Sequence, residues 1–155
     1  MLVRSWQVNV EIKRLPAPLE SFPVAAAGVA LVEELGMVHQ VLVSSFVFDN
    51  LRAVYALNPA MRLAALTGLV ETEPQLPDLP LFGVNPHYVG LAEAAVHGLR
   101  GNNLAVVPWT VNAADEMQRL IDAGVSGIIT DFPQRLRKIL RSQFLGTKGG
   151  HSYET

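Results

Sequence analysis

VNVEIK, residues 8–13, alternates apolar with polar side chains, which is the pattern of a β-strand with one apolar and one polar face. The apolar set is Val8, Val10 and Ile12, and the polar set is Asn9, Glu11 and Lys13. A half-buried antiparallel strand would explain this pattern, but the rest of the chain does not look antiparallel. The direction in which the polar face points therefore decides the fold.

Composition sets the broad class of the protein. The chain has 155 residues, half of them hydrophobic and 17% charged, which suits one domain with a sizeable core. A net charge of −2 without a basic patch argues against nucleic acid as a partner. The absence of cysteine excludes disulfides and thiolate metal sites. The start, MLVRSWQ, has no apolar core of signal-peptide length, and the longest apolar run, 24–32, is too short to span a membrane. We therefore expect a cytoplasmic protein.

Strand-like and helix-like segments alternate along the chain. Strands are predicted at 8–13, 40–46, 61–68, 80–85, 103–111 and 126–133, and helices at 22–35, 49–57, 90–99, 113–123 and 133–144. Such alternation with nearly continuous apolar strands predicts a parallel sheet covered by helices. The proline-rich segment 69–80 is expected to be a loop. One domain over residues 1–145 is predicted, followed by a mobile polar tail at 146–155.

Several single residues mark the expected ends of the helices. Gly36 and Gly124 stand where two helices should stop, since glycine takes the left-handed conformation of a C-terminal cap without strain. Asn112 precedes a helical segment, with Asp115 three residues on, and this spacing predicts that Asn112 is an N-cap.

In a parallel sheet covered by helices, the polar face of the first strand can avoid a large desolvation cost in only one place. Unpaired charges buried against a helix layer would cost several kcal/mol. The interior of a closed barrel avoids that cost, because side chains from several strands meet there at a solvent-accessible mouth. The predicted strand ends agree, since they carry polar groups: Ser44, Ser45, Thr67, Asn85, His87, Trp109, Thr110, Asn112, Thr130 and Asp131. The sequence therefore predicts an incomplete (β/α) barrel of the TIM type.

Most of these polar residues also have a purely structural interpretation. The hydroxyls of Ser44, Ser45 and Thr67 fit the start of a loop, and Asp131 fits a helix cap. His39 and His97 are expected on the surface, whereas His87 fits either a surface or a site. Trp109 suits the core as well as the wall of a substrate pocket. Glu11 is the exception, because a carboxylate inside a barrel strand two residues from Lys13 favours a functional role.

Several of these segments together resemble the glycerophosphodiester phosphodiesterase family. The segments are VNVEIK, VLVSSF, LNPAMRLAALTG, VNPHYVGL and VVPWTVNAADEMQRLIDAGVSGIITDFP, and the last is the most specific. Order and spacing agree from residue 8 to 140. The resemblance implies a (β/α) barrel that hydrolyses glycerophosphodiesters to an alcohol and glycerol 3-phosphate with a divalent cation, Mg²⁺ or Ca²⁺. It also implies a small-molecule substrate of lipid metabolism as the partner.

The resemblance also assigns roles to three residues, and the predicted strand ends add two more. It implies that Glu11 is a metal-binding carboxylate, that Lys13 contacts the substrate phosphate, and that Trp109 forms the aromatic wall of the pocket. Asn85 and His87 complete the expected substrate-binding set at the mouth. A hard cation with oxygen ligands and a lysine would together neutralise a phosphodiester.

The sequence departs from the family in its catalytic groups. Family members carry a His-Arg-Gly segment, a Glu and an Asp as further metal ligands, and a second His in an Asp-x-His context. None of the four histidines here lies in such a context, so no catalytic residue is assigned. The resemblance covers about six of the eight β/α units of a barrel. We therefore expect the chain alone to be inactive.

Two further expectations follow from the incomplete barrel. The open sheet edges predict either self-association or a strained, partly closed six-stranded barrel. A clean monomer in size-exclusion chromatography with sharp thermal unfolding would count against self-association. The alternative function is a non-catalytic phosphate- or polyol-binding or assembly module.

Overall fold

The computed structural model describes residues 7–68 and 75–146, with side chains described up to residue 143. Strands and helices alternate in the order β1 (Val8–Glu11), α1 (Val24–Glu34), β2 (Val41–Ser45), α2 (Phe48–Leu57), β3 (Arg62–Thr67), β4 (Gly83–Pro86), α3 (Glu93–Gly101), β5 (Ala105–Val106), α4 (Ala114–Asp122) and α5 (Pro133–Gly146). A short 3₁₀ turn, Leu19–Ser21, precedes α1. The described helices include none that is long and apolar enough to cross a membrane.

The strands form one parallel sheet in which spatial order follows chain order. Each of the five strands pairs with the next one in sequence, from β1 to β5. This order is that of a (β/α) barrel, whereas a doubly wound sheet reverses its order at a switch point. The predicted parallel α/β fold is confirmed, and the described residues form an open part of a barrel.

One face of the sheet carries the helices. Around β2 and β3, buried side chains such as Val43 and Leu63 pack with α1 and α2. A second cluster around Val84 and Val106 packs with residues of α3 and α4. Val10 is aligned with Val43, and so the apolar set of VNVEIK belongs to this helix-covered face. Val10 is nevertheless 37% exposed, because β1 lies at the edge of the sheet and, among the described strands, pairs only with β2.

The predicted strand at 126–133 is wrong as a regular strand. The segment still runs beside β5 in the same direction, with the Ser126 amide donating to the Val106 carbonyl (2.8 Å) and the Ile129 amide to the Pro108 carbonyl (2.9 Å). The predicted strand at 103–111 shrinks to two residues, Ala105–Val106. Pro108 has no amide hydrogen to continue the ladder, which is why pairing becomes irregular beyond β5.

The predicted helix ends were right for the glycines and wrong for the asparagine. Gly36 and Gly124 adopt φ values of +65° and +81° after α1 and α4. Asn112 does not cap α4, whose N-cap is Ala113 without a side-chain hydrogen bond. Half of the predicted loop, residues 69–74, and the tail from 147 onward lie outside the described residues.

Gly83 is required where β4 approaches β5, and replacing it with alanine is expected to destabilise the protein by about 1–3 kcal/mol. A Cβ at this position would lie 2.5 Å from the carbonyl oxygen of Ala105, a backbone atom that cannot rotate away. Gly98, on α3, has open space at its Cβ, and so Gly98→Ala is expected to stabilise by about 0.5–1 kcal/mol. Urea unfolding measures both, and equal midpoints for the two variants would contradict the contact.

Candidate functional site

The register of the sheet places the carboxylate of Glu11 on the face away from the helices. Glu11 is aligned with Ser44, and Leu66 is aligned with Asn85, while the intervening positions pack against helices. In a closed barrel this face is the interior. The polar face of VNVEIK therefore points where the alternation predicted, although the role of Glu11 stays a prediction.

Glu11 and Lys13 form a loose ion pair near the carboxyl end of β1. Their charged atoms, Lys13 Nζ and Glu11 Oε2, lie 3.9 Å apart, and the two side chains are 74% and 34% exposed, respectively. An ion pair this exposed contributes little to stability. The ammonium group of Lys13 is consequently free to turn towards an anion at the mouth.

Three predicted substrate-binding residues are brought together at the ends of β4 and β5. The indole Nε1–H of Trp109 donates to the backbone carbonyl of Asn85 (2.8 Å), and its ring meets the His87 ring edge-on with centroids 4.8 Å apart. The Nδ1 atom of His87 accepts a hydrogen bond from the Val89 amide (3.3 Å), which leaves Nε2 to face a ligand. The hydrogen bond and the ring contact fix the orientation of the indole, as a pocket wall requires.

Phe46 belongs to this aromatic group and was missed by the sequence analysis. Its ring packs edge-on against Trp109 at a centroid distance of 5.4 Å, and the side chain is 48% exposed. Phe46 follows Ser44 by two positions, so the same alternation that selected Glu11 could have identified it. Phe46 links the end of β2, which neighbours β1, to the Trp109 group.

Two buried polar side-chain atoms on the interior face have no hydrogen-bond partner among the described residues. They are the hydroxyl oxygen of Ser44, which is fully buried and aligned with Glu11, and the amide oxygen Oδ1 of Asn85, which is 1% exposed. An unsatisfied buried polar group costs about 1–3 kcal/mol, so it points to a water or a polar ligand. Ser45 differs, because its hydroxyl donates to the Ile12 carbonyl (2.6 Å) and accepts from the Val47 amide (3.0 Å). Ser45 therefore has the structural role expected of it, whereas the role of Ser44 stays a prediction.

Hydrogen bonds between polar side chains join the segment 126–133, which is not a regular strand, to the residues before α4. The Asn112 side chain donates to the Asp131 carboxylate (2.8 Å) and accepts from the Thr130 hydroxyl (3.1 Å). The Thr130 hydroxyl also accepts a hydrogen bond from the Phe132 amide (3.0 Å). Thr130, rather than the neighbouring Asp131, therefore bonds the backbone just before α5. These contacts hold the chain around the mouth in place.

The other described histidines lie on the surface, as predicted. His97 is 3.8 Å from Glu93 on the exposed side of α3, and His39 is exposed in the turn before β2. His151 falls outside the described residues. His87 is thus the histidine that the described structure places at the mouth.

The described residues do not make a complete site for a divalent cation. No three His, Asp or Glu side chains converge anywhere in the described ranges, and Glu11 by itself supplies at most two oxygens. Mg²⁺ and Ca²⁺ take six or more oxygen ligands. The expected metal role of Glu11 would need further ligands beyond those described.

Comparisons with known proteins agree on one family. The model of the glycerophosphoryl diester phosphodiesterase family matches residues 6–135. A glycerophosphodiester phosphodiesterase of Caldanaerobacter subterraneus subsp. tengcongensis is 30% identical over 141 residues, which cover 89% of this chain and 57% of that protein. The chain therefore spans little more than half the length of this curated relative.

Two solved structures extend the likeness to the fold. A glycerophosphodiester phosphodiesterase from Parabacteroides distasonis superposes with a TM-score of 0.78 at 27% identity, over 89% of this chain and 58% of that one. A phosphodiesterase from Oleispira antarctica, solved in complex with the product sn-glycerol-3-phosphate, gives a TM-score of 0.66 at 20% identity, over 76% and 49% of the two chains.

Proposed function

The chain belongs to the glycerophosphoryl diester phosphodiesterase family, and on that premise we propose that its mouth binds the phosphate and glycerol of a glycerophosphodiester. The reaction served is hydrolysis to an alcohol and glycerol 3-phosphate. The observation that carries the proposal is the contact between Asn85, His87 and Trp109 at neighbouring strand ends. The product complex of the Oleispira antarctica phosphodiesterase supports glycerol 3-phosphate as the matching ligand.

Each residue of the mouth has a task in this proposal. Lys13 places a point charge beside the phosphate, and its exposed position lets it follow the ligand. Trp109, backed by Phe46, supplies a flat apolar wall for the carbon face of glycerol. Nε2 of His87 offers a hydrogen bond to a hydroxyl, and the backbone carbonyl of Asn85 holds the indole of Trp109 in place.

In this proposal the chain binds a glycerophosphodiester but does not cleave it by itself. The family reaction needs an acid and a base, and the described residues place one histidine, His87, at the mouth, where its Nδ1 is already occupied. A divalent cation would polarise the phosphodiester, but the described oxygen donors do not fit one. We therefore derive no step through a metal and propose that the chain alone does not cleave the substrate.

The alternative function, a non-catalytic phosphate- or polyol-binding or assembly module, shares this binding site. It is favoured by the presence of a single carboxylate, Glu11, beside Lys13 and by the open edge of β1 in the described sheet. Self-association through that edge and a cytoplasmic location stay predictions.

Replacing Lys13 with alanine is expected to weaken the binding of glycerol 3-phosphate by about tenfold. A hydrogen bond to a charged group contributes about 1.5–3 kcal/mol, and we take the lower end because Lys13 is 74% exposed. Isothermal titration calorimetry measures the affinity. The matched control is Lys138→Ala on α5, which removes the same charge from an exposed position outside the mouth. Equal losses in both variants, or no heat with the unchanged chain, would refute phosphate binding at Lys13.

A further inference from the structure

Arg119 on α4 connects that helix to the turn that follows β4. Its Nη1 group donates to the Leu91 carbonyl (3.0 Å), and its Nη2 group donates to the Tyr88 carbonyl (3.4 Å). These two carbonyls stand at the two ends of the turn 88–91, so a single side chain spans it. A guanidinium can do this because it is planar and carries five N–H groups in a fixed arrangement.

The carboxylate of Glu116 holds the guanidinium of Arg119 in this position. Oε2 of Glu116 accepts hydrogen bonds from Nε (2.9 Å) and Nη2 (2.8 Å) of Arg119, three residues further along α4. The side chains of Arg119 and Glu116 are 42% and 34% exposed, and an ion pair this exposed contributes little to stability. The pair therefore matters more for the direction of the guanidinium than for the stability of α4.

The turn 88–91 determines how His87 presents its ring at the mouth. The Val89 amide donates to Nδ1 of His87 (3.3 Å), and in a neutral imidazole with an accepting Nδ1 the proton is carried by Nε2. Val89 is 48% exposed and Gly90 adopts a φ of +74°, so the middle of the turn has little packing to hold it. The position of the Val89 amide consequently depends on how the two ends of the turn are held.

We propose that Arg119 is a positioning residue for His87. Because Arg119 holds both ends of the turn, the Val89 amide stays on Nδ1, and the Nε2–H group of His87 is the donor that meets the ligand. This inference rests on the proposed function, which assigns ligand binding to His87. It adds a residue of α4 that acts through the turn without touching the ligand, and it specifies that the ligand atom at His87 is an acceptor oxygen, from phosphate or hydroxyl.

A double-mutant cycle tests whether Arg119 acts through His87. Isothermal titration calorimetry gives the affinity for glycerol 3-phosphate of the unchanged chain, Arg119→Gln, His87→Ala and the double variant. Arg119→Gln is expected to weaken binding about two- to tenfold, as for the loss of one hydrogen bond, and to cause no further loss in the His87→Ala background. Arg52→Gln is the matched control, because Arg52 pairs with Asp49 three residues earlier on α2, and it should keep the affinity.

A second measurement needs no ligand. The ¹⁵N chemical shifts of the His87 ring at alkaline pH report which nitrogen carries the proton and whether the other accepts a hydrogen bond. The unchanged chain and Arg52→Gln should show Nε2–H with a hydrogen-bonded Nδ1, whereas Arg119→Gln should show a mixture of both tautomers. Arg119→Lys keeps the charge beside Glu116 but cannot bind both carbonyls, so its ring shifts should resemble those of Arg119→Gln.

The outcomes separate this inference from the proposed function. If glycerol 3-phosphate does not bind the unchanged chain, the proposed function falls, and the ring shifts decide whether Arg119 orients His87. Equal losses from Arg119→Gln with and without His87 would refute action through that ring, and unchanged ring shifts in Arg119→Gln would do the same. If Arg119→Lys keeps the ring shifts of the unchanged chain, the ion pair with Glu116 suffices and the role of the two carbonyl contacts is refuted.

Discussion

The purified 155-residue chain is expected to hydrolyse glycerophosphocholine at least about 10,000-fold more slowly than its relative from Caldanaerobacter subterraneus subsp. tengcongensis. General acid and general base catalysis each contribute about 100- to 10,000-fold, and we expect from the sequence analysis that the histidines to which the resemblance assigns both tasks have no counterpart in this chain. His97 is directed to Glu93, and His39 is exposed before β2. His87 alone, of the described histidines, reaches the mouth.

The measurement is the release of choline or glycerol 3-phosphate with Mg²⁺ or Ca²⁺ present, with the relative as positive control. His87→Ala is measured in parallel, because it tests whether residual catalysis depends on the histidine at the mouth. A rate within tenfold of the relative that disappears in His87→Ala would show that this chain hydrolyses the substrate with the help of His87 and that our account of the catalytic groups is wrong. A comparable rate that survives His87→Ala would refute the assignment of proton transfer to histidine.

The parallel sheet and the direction of Glu11 could be predicted because both follow from simple periodicities. Side chains alternate strictly along a strand, so VNVEIK alone determined which residues share a face. Parallel order followed from the strand–helix alternation. Gly36 and Gly124 were predictable for a similar reason, since a left-handed residue at a helix end is a local requirement.

The features that sequence analysis missed depend on contacts between distant segments. Asn112 had the spacing of an N-cap, but its side chain bonds Thr130 and Asp131 instead, which are 18 and 19 residues away. Segment 126–133 does not form a regular strand because the neighbouring segment after β5 contains Pro108. The sequence of 126–133 itself gives no sign of this. A cleft of about 780 Å³ that is lined by residues of the segment after β1, of α1 and of α2 was missed as well, because its walls are not contiguous in sequence.

Leu63→Ala is expected to destabilise the chain by about 2–5 kcal/mol, the largest effect on stability that we predict. Leu63 is fully buried in β3 among the helix-facing side chains of the first core cluster. Truncation removes the transfer free energy of the side chain and leaves a cavity that neighbouring strands can close only in part. A protein of ordinary marginal stability, about 5–15 kcal/mol, would lose much of its stability through this one change.

Leu31→Ala is the matched control, because Leu31 is 54% exposed on α1 and its loss should change the free energy of unfolding by less than about 0.5 kcal/mol. Urea denaturation followed by circular dichroism measures both variants, with unchanged slopes as the condition for comparing midpoints. The comparison also tests whether the sheet packs on α1 and α2 despite the open edge of β1. If the two substitutions shift the midpoint equally, Leu63 does not lie in a close-packed core. The strand register that places Leu63 on the helix-covered face and Glu11 on the opposite face would then be refuted.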